Sequence, residues 1–197
     1  MDRRDALRRV ALLTGAAISA PFATAFLQSC ETEASSVSEG LQFFTPQQFD
    51  VFNELAERIM PKTDTPGAKD AKVANLIDEI IANYYSKEDA KNFAAQVDAF
   101  EADCNTANGK SFTKMTDEER DNYLTTVEEA AYKARESGTN SQEIFWFNAK
   151  NSVLSTFFMT EAGCTQVLQH VAVPGPFQGC VPMTEAGEGR TWANEWV

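Results

Sequence analysis

The chain has 197 residues, of which 17 are Lys or Arg and 29 are Asp or Glu, so its formal net charge is −12 at pH 7. Hydrophobic residues make up 43% and charged residues 23% of the chain, proportions typical of a globular protein, which excludes wholesale disorder. The acidic balance argues against nucleic acid and anionic lipid as main partners, because both attract cationic surfaces.

The first segment, residues 1–29, has the layout of an export signal. Four arginines within the first nine residues precede a stretch without charge from residue 10 to residue 27, as a basic region precedes the apolar region of a signal peptide. Arg3, Arg4 and Leu7 have the spacing of a twin-arginine signal. A permanent membrane anchor is the alternative, although the stretch is weakly hydrophobic and contains Pro21.

Cys30 is a candidate for lipidation, because Leu27-Gln28-Ser29-Cys30 resembles a bacterial lipobox. Cleavage after Ala25 by an ordinary signal peptidase is the alternative, and Cys30 would then be a disulfide partner or a free thiol. Residues 30–43 carry mostly small polar and acidic side chains, which predict a flexible tether. Without residues 1–29, which hold four Arg and two Asp, 13 basic and 27 acidic residues remain, giving a net charge of −14.

Residues 44–197 are predicted to form a single all-α domain of about five main helices. Capping residues or Pro and Gly mark most of the helix ends, with Thr45 and Pro46 at the first start and Pro61 at its end. Ser86 and Thr116 are the predicted caps of the third and fourth helices. The fifth helix is the most apolar and is expected at the centre. A short helix is expected from Glu161 to about Gln169. Apolar residues at helical spacing define the five helices: Phe49 to Ile59, Val73 to Tyr84, Phe93 to Cys104, Tyr123 to Ala134, and Ile144 to Phe158.

The last 27 residues, 171–197, hold three Pro, four Gly and two Trp, and predict an ordered loop rather than a bundle helix. Trp192 and Trp196 have the spacing of one helical turn, in which both rings would dock on the same face. A disulfide between Cys164 and Cys180 would join the helical core to this tail. Cys104 lies on an apolar helix face, and we expect it to be a small buried hydrophobic residue.

The sequence contains no recognisable catalytic machinery. His170 is the single histidine, and without a nucleophile motif beside it we interpret it as a surface or loop residue. No dinucleotide-binding loop, phosphate-binding loop or haem-attachment motif is present. Acidic pairs such as Glu118-Glu119 indicate solvated helix surface. We therefore expect no catalytic, cofactor-binding or metal-binding residue in this chain.

Five motifs occur in order along the chain: the twin-arginine start, residues 59–68 followed by residues 73–78, residues 157–166, residues 173–182 and Trp192-Ala193. The Pro-Gly-Ala loop within the second and the Pro-Gly and Gly-Cys-Val-Pro runs of the fourth are the most specific. Together they resemble the small subunits of gluconate 2-dehydrogenase, known as subunit 3. The resemblance implies a non-catalytic subunit that supports a large flavin-dependent dehydrogenase of a sugar or sugar acid. FAD would be bound by that partner, and a cytochrome c subunit is a further candidate partner.

The resemblance also implies export together with the dehydrogenase, because a flavoprotein binds its cofactor before it crosses a membrane and needs a route for folded proteins. We expect the complex on the periplasmic side of a bacterial membrane, held by a lipid on Cys30. Two alternatives stay open: a lipid-anchored binding module without a redox role, and a free-standing enzyme acting on sugars. Rigid Pro/Gly segments make good docking surfaces, and the candidate contact residues are Asp64, Pro66, Gly67, Pro174, Gly175 and Trp192.

Overall fold

Five α-helices account for most of the residues that the computed structural model describes, which are 40–139, 144–173, 175, 176, 179–185 and 189–193. They are α1 (Pro46–Ile59), α2 (Val73–Tyr84), α3 (Lys87–Asn108), α4 (Asp117–Glu136) and α5 (Phe145–Phe157). A 3₁₀ turn, Phe112–Lys114, precedes α4, and a π-helical turn, Gly163–Val167, follows α5. The described residues include no β-strand, so the predicted all-α class is confirmed. None of their helices combines the length and apolarity needed to cross a membrane.

Side-chain caps fix the starts of three helices. The Thr45 hydroxyl accepts a hydrogen bond from the Gln48 N–H, and the Gln48 side chain accepts one from the Thr45 N–H, so that a complete capping box opens α1. Thr116 and Glu119 form the same arrangement before α4. The Ser86 hydroxyl caps α3. All three starts agree with the sequence prediction, because each depends on residues only three positions apart.

The hydrophobic core is centred on α5, which packs against each of the other four helices, as its apolar sequence predicted. Phe49, Phe52, Phe112 and Phe157 are fully buried. Ring contacts connect the helices, with the Phe52 and Phe93 centroids 5.6 Å apart between α1 and α3. The predicted apolar face of α3 is buried along its whole length, at Phe93, Val97, Phe100 and Cys104.

The buried face of α2 differs from the predicted one, because it includes a carboxylate. Asp78 is 2% exposed, whereas Tyr84, which the spacing placed on the apolar face, is 82% exposed. The Asp78 carboxylate accepts hydrogen bonds from the backbone N–H groups of Gln42 (2.7 Å), Phe43 (3.1 Å) and Phe44 (2.7 Å). It thereby fastens the chain just before α1 to the middle of α2.

A buried arginine joins α4 to α1 and to the 3₁₀ turn. Arg120 is 8% exposed. Its guanidinium donates to the carbonyl oxygens of Phe112 (3.0 Å) and Thr113 (2.8 Å). It also pairs with the carboxylates of Glu54 (2.9 Å) and Asp117 (3.1 Å). Because the planar fork of arginine can engage several acceptors at once, one side chain holds three segments together.

Candidate functional site

The loop between α1 and α2 is held against the end of α1 by one carboxylate. Glu57 accepts hydrogen bonds from the backbone N–H groups of Lys62 (3.0 Å) and Lys69 (2.8 Å), one on each oxygen. The Ala68 N–H donates to the Met60 carbonyl at 2.8 Å and closes the loop. The predicted contact segment is therefore a rigid part of the domain. Glu57 gave no signal in the sequence, because it lies among other charged residues of an amphipathic helix.

Gly67 is buried where this loop crosses Glu57. A Cβ atom at position 67 would lie 2.5 Å from Glu57 Oε1 and 2.6 Å from the Lys62 nitrogen, so a side chain would displace the carboxylate from its hydrogen bonds. Gly67 is therefore needed for the packing of the loop against Glu57. Of the three candidates in the loop, Gly67 is buried, Pro66 is half-buried and Asp64 is exposed. Asp64 is therefore the one of the three whose side chain is exposed.

The described part of the C-terminal tail is fastened to the end of the helical core. Gln169 and Trp192 form an isolated parallel bridge. The Gln169 N–H donates to the Thr191 carbonyl and the Ala193 N–H donates to the Gln169 carbonyl, each at 2.8 Å. Arg190 Nη1 donates to the carbonyls of Thr165 (3.1 Å) and Leu168 (3.3 Å). The backbone of Trp192 is extended where it pairs with Gln169. Trp196 lies outside the described residues, so the helical turn expected between the two tryptophans stays a prediction.

The described part of the tail keeps several large apolar side chains at the surface. We call Val171, Val173, Met183 and Trp192 the tail surface; Val173 is 83% and Trp192 is 45% exposed. Gly175 is also exposed, and Pro174 lies outside the described residues. His170 is exposed beside this surface in the chain, as the sequence predicted. Among the described residues, no hydrogen bond or ion pair joins the tail to the loop between α1 and α2.

A comparison with models of protein families identifies the family of this helical core. The family model described as gluconate 2-dehydrogenase subunit 3 matches residues 46–175, about two thirds of the chain. The chain belongs to this family. Membership in the subunit 3 family implies a dehydrogenase partner, because the family is named as a subunit of the gluconate 2-dehydrogenase complex. No curated protein and no solved structure matches the chain significantly.

The part matched to the subunit 3 family includes a close backbone approach after α5. Gly163 begins the π-helical turn, and a Cβ atom there would lie 2.1 Å from the Phe157 carbonyl oxygen. The next residue, Cys164, is buried and its thiol donates to the Phe158 carbonyl at 3.0 Å. The residues from Phe157 to Cys164 therefore form a tightly packed reversal that leads the chain from α5 into the tail.

The cysteines Cys104 and Cys164 are buried free thiols, and Cys180 is an exposed free thiol. The Cys104 sulfur lies 3.4 Å from the Met115 sulfur, and burial, followed by the charge of Glu101, raises the pKa of the Cys104 thiol. Its predicted role as a small buried hydrophobic residue is confirmed. The Cys164–Cys180 bridge is not formed in the structure and stays a prediction. Within the described residues, no cluster of His, Cys, Asp or Glu is arranged to hold a metal ion.

Proposed function

We propose that this chain is a non-catalytic small subunit that supports a flavin-dependent dehydrogenase of a sugar or sugar acid, such as gluconate. The observation that carries the proposal is the family match, which extends from the first residue of α1 into the tail. In this proposal the partner binds FAD and oxidises the substrate, and a cytochrome c subunit accepts the electrons. This chain contributes a folded scaffold and a contact surface.

The fixed loop and the tail surface support such a role. The loop and the tail at Trp192 are pinned by hydrogen bonds to the helical part of the chain, so little conformational entropy would be lost when a partner docks there. The tail surface presents apolar side chains that are exposed in the single chain, and burying them against a partner is favourable. We propose that Asp64 at the loop and Val173, Gly175 and Trp192 in the tail contact the dehydrogenase.

Co-purification from the native host tests this function. We expect the tagged full-length chain to bring down a large flavoprotein in near-equal amount, identified by mass spectrometry and by its flavin absorbance. Val173→Asp should reduce the amount captured by roughly tenfold, because a carboxylate would be desolvated at the contact. Thr139→Asp is the matched control, since Thr139 is a similarly branched and exposed residue after α4. If the wild-type chain captures no dehydrogenase, the proposed function is wrong.

We further propose that residues 1–29 direct twin-arginine export of the assembled complex and that a lipid on Cys30 holds it at the periplasmic side of the membrane. The net charge of −14 after residue 29 supports a lipid or a protein as the means of attachment, because an acidic surface is repelled by anionic lipid. Arg3→Lys with Arg4→Lys should keep both chains in the cytoplasm, whereas Cys30→Ala should leave export intact and release the complex from membranes. Fractionation and intact mass measure both results. Normal export of the double Lys variant would exclude the twin-arginine route.

A further inference from the structure

A surface groove follows one side of α3 for most of its length. Two adjoining grooves, of about 660 Å³ on the α5 side and about 360 Å³ on the α4 side, share Gln96 and Ala99 in their lining. Together they form what we call the α3 trench, which extends from Asp89 to Asp103. At 1.5 Å per helical residue, these two carboxylates stand about 21 Å apart along the helix.

The walls of the α3 trench are held in place by contacts between α4 and α5, one of them made by the trench residue Trp146. Glu128 on α4 accepts hydrogen bonds from Lys150 Nζ (2.8 Å) and Trp146 Nε1 (3.3 Å) on α5. The hydrogen bond from Lys150 lowers the pKa of the Glu128 carboxyl. Phe93 is 5% exposed, and it contributes to the floor. The trench is therefore already shaped in the single chain.

The first half of the trench is lined by carboxamides from two helices. Asn92 on α3 and Asn151 on α5 are exposed at its rims, and neither side-chain amide makes a hydrogen bond to the described residues. Each carboxamide can donate and accept at once, which matches the alternating N–H and C=O groups of an extended polypeptide. A helical ligand would not use them in this way, because its backbone groups are already paired with one another.

The second half of the trench is apolar and leads to an acidic end. Its lining includes Phe100, Val127 and Phe145 together with several alanines. Asp89 lies toward the first end and Asp103 in the second half, and no Lys or Arg side chain is among the described residues that line either half. Such a surface favours a ligand that is positively charged at its ends and apolar where it lies in the second half.

We propose that the α3 trench binds an extended segment of the dehydrogenase, with Lys or Arg near both ends and apolar residues between them. This inference rests on the proposed function and names a contact surface in addition to the loop and the tail. At about 3.3 Å per extended residue, two basic residues placed about six positions apart would reach Asp89 and Asp103. Carboxamides along the rims hydrogen-bond the backbone of the segment, and the apolar half accepts its side chains.

A matched pair of substitutions on α3 tests the trench. Ala99 and Ala102 are both exposed alanines one turn apart, but only Ala99 is among the trench residues. Ala99→Trp should fill the trench and lower the amount of dehydrogenase that co-purifies with the full chain by tenfold or more, whereas Ala102→Trp should leave it unchanged. Equal melting temperatures of the two variants would show that folding is not the cause. Asn92→Leu with Asn151→Leu offers a second route, removing the amides without filling the trench.

Cross-linking then identifies the segment. A photoreactive residue in place of Ala95, which lines the trench and is exposed, should attach to a dehydrogenase peptide with basic residues near both ends, read by mass spectrometry. Full capture of the dehydrogenase by Ala99→Trp, or a cross-link to an acidic peptide, would overturn the inference while leaving the proposed function standing. Loss of capture by the wild-type chain would instead remove the proposed function on which the inference rests.

Discussion

Asp78→Ala is expected to lower the free energy of unfolding by roughly 3–5 kcal/mol. The substitution removes the acceptor of three backbone N–H groups, at Gln42, Phe43 and Phe44. The bond to Phe44 is buried, so this N–H would lose its partner without regaining water, whereas the other two are partly reached by solvent. Phe44, which stacks on Phe52 with ring centroids 5.5 Å apart, would also be released from the core.

Urea denaturation of the purified chain measures this effect. Asp78→Asn should be less destabilising than Asp78→Ala, because one oxygen still accepts while the amide nitrogen faces the remaining donors. Asp64→Ala is the control, since Asp64 is exposed and its loss should change stability by less than about 0.5 kcal/mol. A value for Asp78→Ala within about 1 kcal/mol of the wild type would mean that the buried carboxylate does not hold the segment before α1.

The helices themselves could be predicted closely from the sequence, because their signals are local. Thr45, Ser86 and Thr116 each reach a backbone group three residues ahead. Pro61 follows the end of α1, and Gly109 takes a positive φ of 69° at the end of α3. Such residues act within one turn of backbone. The apolar face of α3 was equally predictable, because helical periodicity depends only on spacing.

The contacts that fix the loops could not be predicted, because their partners are distant in the chain. Asp78 lies 34–36 residues from the N–H groups that it binds, and Glu57 lies 12 residues from Lys69. Both are acidic residues on amphipathic helices, where a solvated position is the usual interpretation. Periodicity alone also assigned Tyr84 to the buried face, although the burial of Asp78 shows that α2 is turned to bring a carboxylate inward.

The candidate site could be predicted only in part, because its rigid segments have local signals but its contacts do not. Pro/Gly motifs marked the loop and the tail as rigid, but Gly67 proves to serve the packing of its own loop against Glu57. In the tail, the backbone pairing of Trp192 with Gln169 had no sequence signal, because the two residues are 23 positions apart. The α3 trench had no sequence signal, because its lining comes from three different helices, α3, α4 and α5.

Gly163→Ala is expected to destabilise the protein by about 2–3 kcal/mol. The added Cβ would lie 2.1 Å from the Phe157 carbonyl oxygen, which also accepts hydrogen bonds from the Thr160 N–H (3.1 Å) and hydroxyl (2.7 Å). Both sides of the contact are backbone and are held by hydrogen bonds, since the Cys164 N–H donates to the Thr160 carbonyl at 2.9 Å. The reversal after α5 must therefore open to admit a methyl group.

This opening should expose Cys164, which gives a second measurement besides urea denaturation. In the folded Cys30→Ala protein, a thiol reagent should modify Cys180 quickly. It should modify Cys104 and Cys164 slowly, because burial protects both thiols. Gly163→Ala should add a second fast thiol.

Gly109 is the informative comparison with Gly163. Its positive φ of 69° favours glycine, but a Cβ added there would meet no described atom within 4 Å. Asparagine tolerates that backbone conformation, so Gly109→Asn should be mild, whereas Gly163→Asn should be at least as damaging as Gly163→Ala. Equal stability of the two Asn variants, with Cys164 still protected, would show that the reversal has room for a side chain. A large difference would show that position 163 needs glycine for lack of space rather than for backbone freedom.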